Sequence, residues 1–327
     1  MLPNIGANIG ESYFVKEEML PRKRNVLGPN AILLRSKDND NYFLYNIFNR
    51  AVFIQNINDI SGASGQPKFN KTDLKTIRIN VPDVAEQEKI ARFLSAVDDK
   101  IATLGQKVEL LKKYKKGAMQ SLFTQKIRFS DNSGGYPAWR DVQLSKLLHS
   151  FKLGGNYENT EIATENPLMK MGNLGRGRFN LNKIEYITQT QDINSDDKMK
   201  YNDLFFNTRN TLDLVGKVSI WKNELPLAFY NSNLMLLDFE CNPFMNYYFN
   251  SNEGLKKLKR LATGTTSVAA IYTRDLLRMY VNVPSDTKEQ QKIADFLTAL
   301  DEKIQLEESK LEQAKNFKKA LLQQMFV

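Results

Sequence analysis

Three short stretches of this chain carry side chains able to meet the edges and phosphates of a nucleic acid. Residues 171–178 hold Asn173, Arg176 and Arg178 on a flexible run interrupted by Gly172, Gly175 and Gly177. A guanidinium fork matches guanine O6 and N7 in a DNA major groove, and a carboxamide matches adenine N6 and N7. Residues 207–211 offer a similar set in Arg209, Asn210 and Thr211. Thr265, Thr266 and Ser267 follow Gly264, and their hydroxyls and backbone N–H groups suit phosphate, which positions a duplex without specifying its sequence. Each of these residues is equally at home on a solvated loop. The candidate DNA-contacting set rests on the three stretches taken together.

The charge balance favours that reading. The 327 residues include 46 Lys and Arg against 37 Asp and Glu, a net charge of +9 and a pI near 9.3. A basic protein gains from docking on a polyanion because phosphates then release their condensed counterions. Clusters at Lys112–Lys116, Lys256–Arg260 and Lys315–Lys319 add to this, although lysine-rich helix faces also serve solubility alone.

Other chemistries find little support. Asn242-Pro243-Phe244 resembles the Asn-Pro-Pro-aromatic motif of amino-methyltransferases, but no Gly-rich cofactor loop follows a strand. Asn as a helix N-cap with Pro in the first turn explains it without catalysis. Gly172-x-x-Gly175-x-Gly177 has the wrong order for a dinucleotide fingerprint and reads as a turn. Asp98-x-Lys100 and Asp301-x-Lys303 echo a nuclease ending but sit in helical sequence. The single His149 reads as a surface or packing residue, and with only Cys241 beside it there is no set of zinc ligands. A lone cysteine excludes an internal disulfide and fits a reducing cytoplasm. Residues 1–6 lack the pattern of a secretory signal, and no apolar run approaches a bilayer's thickness.

The elements that would position these residues are set by a repeat. Residues 61–123 recur as 263–326 with one residue inserted. Ile79-Asn80-Val81-Pro82 answers Val281-Asn282-Val283-Pro284, and Glu86-Gln87-x-Lys89-Ile90-Ala91-x-Phe93-Leu94-x-Ala96-x-Asp98 answers Glu289-Gln290-x-Lys292-Ile293-Ala294-x-Phe296-Leu297-x-Ala299-x-Asp301. From Ile90 the apolar positions step by four and three through Leu94, Val97, Ile101, Leu104, Val108 and Leu111, the seam of a coiled coil. The second copy repeats it from Ile293 to Met325. Two helices of about 40 residues, each about 60 Å long, are expected to bury their seams against each other in antiparallel fashion. Lys115 and Glu307 interrupt the seams, which suits exposed positions near an end or a partner contact.

Between the helices, β-rich segments at 168–171, 204–207, 217–221, 234–237 and 279–283, with one amphipathic helix at 243–261, predict an α+β domain. The region before the first helix aligns only with the later half of that domain. Ile9-Gly10 answers Val215-Gly216, and residues 41–49 answer 242–250, but nothing corresponds to residues 139–208.

The doubled Val-Pro-x-x-x-Glu-Gln-x-Lys-Ile-Ala-x-Phe-Leu-x-Ala-x-Asp-x-Lys-Ile pattern strongly resembles the specificity subunit of type I restriction–modification systems. So do Tyr136-Pro-Ala-Trp139 and the segment from Ala262 to Ser267. The resemblance implies two target-recognition domains joined by two long antiparallel coiled-coil helices, each domain reading half of a bipartite double-stranded DNA target. It divides the chain into a partial first target-recognition domain (1–82), a helix (83–123), a linker (124–137), a second target-recognition domain (138–284) and a second helix (285–327). It implies a non-catalytic chain that docks methyltransferase subunits and, through them, a restriction and translocase subunit. S-adenosylmethionine, ATP and magnesium would then belong to those partners, and this chain would hold no cofactor. The incomplete first domain leaves a second reading open: a truncated subunit that captures methyltransferase subunits without full DNA specificity.

Overall fold

A computed structural model describes residues 1–20, 22, 25–62, 66–131, 135–189 and 191–325. The chain divides into two compact units, one of residues 1–110 with 304–327 and one of residues 111–303.

In the first unit, β1 (Leu2–Pro3) pairs antiparallel with β2 (Ala31–Ile32). Three helices follow, α1 (Asn41–Phe48), α2 (Ala51–Ser61) and the short α3 (Lys71–Leu74). Asp40 starts α1 by accepting from Phe43 N (2.7 Å), and a reciprocal capping box between Asn70 and Asp73 starts α3. The long α4 (Val84–Phe123) is launched by Asp83, whose carboxylate accepts from Glu86 N at 2.9 Å. Leu2, Ile32, Phe53, Ile57 and Phe69 fill one small core. Phe43 and Ile47 pack against Ile90, Ala91 and Leu94 of α4, Leu321 and Leu322 of the chain's last helix, and Met325 just past its end.

The second unit contains the end of α4 and the expected α+β domain. Its strands are β3 (Arg140–Gln143), β4 (Leu148–Leu153), β5 (Asn159–Thr160), β6 (Pro167–Met169), β7 (Glu185–Ile187), β8 (Leu204–Asn207), β9 (Arg209–Asn210), β10 (Val218–Ile220), β11 (Phe229–Tyr230), β12 (Leu234–Phe239), β13 (Thr263–Gly264), β14 (Ala269–Ala270) and β15 (Tyr280–Val283). An antiparallel sheet orders β10-β8-β12-β4, a second sheet orders β11-β6-β7-β5, and β13-β14-β9 and β15-β3 form smaller ladders. Phe205, Trp221, Tyr230 and Phe179 join the two larger sheets. Phe123, Trp139 and Phe244 form a mutual aromatic cluster with centroids 5.7–6.4 Å apart in the main core.

Where one helix over 243–261 is expected, two form, α5 (Asn242–Asn250) and α6 (Asn252–Leu261). Ser251 breaks the run in an extended conformation and caps α6 through Gly254 N (3.2 Å). A Cβ on Gly254 would lie 2.2 Å from Tyr248 O, so this close turn requires glycine. Helix α7 (Thr273–Arg278) precedes β15, and α8 (Thr287–Gln324) is started by Asp286, which accepts from Lys288 N at 2.7 Å. Phe326 and Val327 lie outside the described residues.

The missing counterpart of residues 139–208 is visible in the sheets. Strand β12 is flanked by β8 and β4, whereas β2, which lies in residues 30–34 that align with 233–237, has one partner among the described residues.

Helices α4 and α8 run antiparallel within each unit, and their seams are buried or half-buried. In the first unit Asp98 meets Lys318 (2.6 Å) and Lys107 meets Glu307 (2.9 Å), the partner number falling as the α4 number rises. In the second unit Lys115 bonds Asp301, and Leu122 and Phe123 share a core with Ile293 and Leu297. The two seam interruptions are therefore not exposed ends. Glu307 is only 4% exposed and is bridged by Lys107 and by Lys310 (3.1 Å), while half-buried Lys115 finds a carboxylate on the facing helix. A charged residue in a seam is tolerated when its partner is brought to it.

Candidate nucleic-acid interface

The stretch 171–178 is held down along its length, not flexible. Gly177 N donates to Val218 O (2.7 Å), Gly175 N to Arg178 O (3.0 Å), and Ser219 Oγ to the carbonyls of Gly175 and Arg178 (3.1 and 3.0 Å). Asn246 of α5 donates to Gly177 O (3.2 Å). Gly177 adopts φ +89°, the left-handed region that favours glycine. Arg176 and Arg178 are exposed on this fixed turn. Asn173 is not: it is buried, its Oδ1 accepts from Lys170 N (2.9 Å) and its Nδ2 donates to the carbonyls of Asn180 and Lys183 (3.1 and 2.8 Å). Its carboxamide edge is taken up by the turn, which removes Asn173 from the set able to meet a base.

The second and third stretches belong to one sheet. Arg209 and Asn210 form β9, which pairs with Ala270 and Ala269 of β14, and β14 pairs back on β13. The β13–β14 hairpin closes through Thr265 N to Val268 O (2.8 Å), with the Thr265 and Ser267 hydroxyls 3.2 Å apart. Leu212 N donates to Thr266 O (3.1 Å), tying the Thr211 turn to the hairpin tip. Thr265, Thr266, Ser267 and Arg209 are exposed, whereas Asn210 and Thr211 are half-buried and Asn210 Oδ1 accepts from Thr211 N (2.8 Å).

The first stretch reaches the same place, because Arg176 Nη2 donates to Asp213 O at 3.2 Å. Burial pulls the Arg176 guanidinium below its ordinary value. Lys217, one residue before β10, is a contributor that no motif announces. Its ammonium is pulled down first by burial and then by the adjacent Arg176 charge. The bond from Gly177 N to Val218 O sets the Arg176 turn beside the strand that Lys217 leads into, and two cations near each other favour anions. Helix α6 packs on this region through Leu258, which approaches Gly216 (φ +71°), and leaves Lys256, Lys259 and Arg260 exposed. These bonds bring the segments of Arg176, Lys217, Arg209 and the 265–267 hydroxyls into one basic, hydroxyl-rich region, with Arg178 on the same turn as Arg176.

Other polar clusters have structural partners. Asn242 does not cap α5; it accepts from Phe239 N (2.8 Å) and donates to Asn202 O (3.1 Å). Asp98 accepts from Tyr42 OH and Lys318, and Asp301 from Tyr247 OH (2.9 Å) and Lys115, so each joins a helix of its unit to the seam. Buried Asp197 lies 2.8 Å from Lys152 and accepts from Tyr157 OH, whose ionisation is pushed up to about 12, chiefly by burial. His149 is exposed beside Asp238 and Glu240 (3.8 and 3.7 Å). Burial pushes the Cys241 thiol up. Among the described residues there is no cluster of metal-ligating side chains and no helix long and apolar enough to cross a membrane.

Comparison with known proteins gives a consistent picture. Residues 4–113 and 130–316 match the family described as Type I restriction modification DNA specificity domain. The chain is 25% identical over 342 aligned residues to the type I restriction enzyme MjaVIII specificity subunit of Methanocaldococcus jannaschii, covering 97% of this chain and 75% of that protein. It is 20% identical to the type I restriction enzyme EcoKI specificity subunit of Escherichia coli K12, over 77% of this chain and 56% of that one. In fold it resembles the S subunit of the type I restriction–modification system of M. genitalium, with a TM-score of 0.58 at 15% identity, over 89% of this chain and 73% of that one.

Proposed function

This chain belongs to the type I restriction–modification DNA specificity family, and from that premise we propose that it selects the DNA sequence on which a methyltransferase and restriction complex acts. In this reading residues 138–284 are the complete target-recognition domain. Phosphate contacts hold a double-stranded DNA, and exposed arginines of the second unit read one half of a bipartite target. The observation that carries the reading is the convergence of three stretches, distant in sequence, on one surface: Arg176 on Asp213, Leu212 on Thr266, and β9 on β14.

The chain acts in the cytoplasm without catalysing a step. Methyl transfer from S-adenosylmethionine belongs to methyltransferase subunits that it docks, and ATP- and magnesium-dependent translocation and cleavage to a restriction subunit joined through them. Because β2 has only β1 beside it among the described residues, the first unit contributes little base reading. Methylome sequencing of cells expressing the chain with its methyltransferase subunits tests this. The expected result is a methylated motif with one defined half and one degenerate half. A motif with two fully defined halves overturns the assignment of reading to the second unit.

The same shortfall in the first unit favours one further reading, a subunit that captures methyltransferase but does not discriminate DNA. Co-purification with the methyltransferase, combined with methylation showing no sequence preference, supports it over the first.

A further inference from the structure

The two copies of the Val-Pro-x-x-x-Glu-Gln motif are dressed differently. In the second unit Tyr280–Val283 is strand β15, and β3 lies antiparallel on it with Val281 opposite Val142 and Asn282 opposite Asp141. Val281 and Val283 are fully buried, and Trp139, just before β3, inserts against Phe244 with centroids 6.3 Å apart. The segment leading to β3 is fixed by Arg128, whose Nε and Nη2 grip both oxygens of the fully buried Glu289 (3.0 and 2.8 Å) while Nη2 also reaches Pro137 O (2.7 Å).

Every receiving feature recurs in the first unit. Residues 77–83 join no ladder among the described residues, and Ile79 and Val81 are 36% and 41% exposed where their counterparts are fully buried. Beside them opens a cavity of about 550 Å³ lined by Phe43, Val52, Phe53, Ile90 and Met325. Phe43 is the repeat equivalent of Phe244, the ring on which Trp139 rests. Glu86, the equivalent of Glu289, lines the same cavity, is exposed and has no ion-pair partner among the described residues. Gln87 is already set as in the other copy: its Nε2 donates to Pro82 O (2.8 Å), as Gln290 Nε2 does to Pro284 O (3.1 Å).

We infer that this groove is a docking site for an extended strand of the same chemistry as residues 128–143, an arginine followed eleven residues on by an aromatic ring. That strand adds antiparallel to residues 78–81, places an aromatic ring over Phe43 and supplies an arginine to Glu86. Strand addition of this kind draws affinity from main-chain hydrogen bonds and selectivity from pockets for alternate side chains. The chain itself shows what fits, because its residues 128–143 carry that pattern, with Arg128 eleven residues before Trp139.

A fluorescently labelled peptide of residues 127–146 added to the full-length protein is the test. We expect saturable binding by anisotropy, weakened by Glu86→Arg about tenfold or more through loss of a bidentate pair and unaffected by Glu88→Arg, a matched change on the same turn. A peptide with Arg128→Glu restores binding to the Glu86→Arg protein. Register is read by disulfide trapping: Asn80→Cys captures the Asp141→Cys peptide about tenfold faster than the Val142→Cys peptide, because neighbouring residues of a strand face opposite sides. Absence of saturable binding, binding indifferent to Glu86→Arg, or trapping without preference for position 141 each overturns the proposal. Because none of these readouts involves DNA, their outcome is independent of the DNA-recognition reading.

Discussion

The adjacency of Arg176 and Lys217 makes a quantitative prediction about DNA binding. Arg176 is exposed and Lys217 half-buried, and Lys217 is held below its ordinary ionisation value by burial and by the Arg176 charge nearby. A phosphate on each cation relieves that repulsion, so the pair should contribute two phosphate contacts. Each contact adds about 0.9 to the slope of log K against log salt, so Arg176→Gln with Lys217→Met should lower the slope by about 1.8. Raising salt from about 50 to about 200 mM should then cost the unaltered protein roughly 12-fold more affinity than it costs the variant. Anisotropy on a duplex carrying the methylated motif, with the methyltransferase subunits bound and salt titrated, measures this directly. Phosphate contacts carry no sequence information, so the ratio of specific to nonspecific affinity should hold. A variant that folds with an unchanged melting temperature, yet has the parental slope, would refute the argument.

Arg209, exposed on β9, is expected to act differently: Arg209→Ala should relax discrimination at one position of the motif by about 1–3 kcal/mol, seen as a single base becoming degenerate in the methylome. A uniform loss across positions would reassign Arg209 to phosphate. Gly264→Ala should damage the hairpin, because Gly264 sits at φ +126° and a Cβ would lie 2.3 Å from Val268 O; a destabilisation of about 1–3 kcal/mol is expected in thermal melts, with weakened DNA binding. Glu307→Leu, which installs the residue that its repeat mate Leu104 already provides, tests the seam. Lys107 and Lys310 hold the Glu307 carboxylate below its ordinary 4.5, so its stabilisation is present above that value and is lost as pH falls through its lower folded value. The melting temperature of the parent should therefore drop more steeply than that of the variant below pH 4.5; parallel curves would show that the pair contributes nothing.

Much of this architecture was legible in the residues, and the gaps have physical causes. Strands β8, β10 and β12 were readable because their apolar residues are buried on a continuous core. Strand β4 was not, because it lies at the edge of its sheet with Phe151 and Leu153 exposed, so the alternation that marks a half-buried strand is absent. Strands β9, β13 and β14 are two residues each, too short for local propensity to announce, and exist through pairing with one another. The candidate site shows the same division. Residue chemistry nominated three stretches, but their meeting is a product of topology, and only the fold distinguishes Arg176, exposed on its turn, from Asn173, turned into its own loop.

What the duplication repeats, and what it does not, bears on how the chain divides its work. Both copies launch their long helix from an aspartate, Asp83 or Asp286, and both direct a glutamine onto a proline carbonyl. Both set an aspartate, Asp98 or Asp301, to receive a tyrosine of the neighbouring helix and a lysine of the facing one. The tyrosines, Tyr42 and Tyr247, come from different turns of α1 and α5, so the same clamp is reached from unequal sequence. These shared parts attach each unit to the helices. The basic surface of Arg176, Arg209 and Lys217 lies wholly in the second unit, and Arg209 follows directly on residues 139–208, which have no counterpart in the first. Attachment to the helices is therefore duplicated, while among the described residues this basic surface belongs to the second unit.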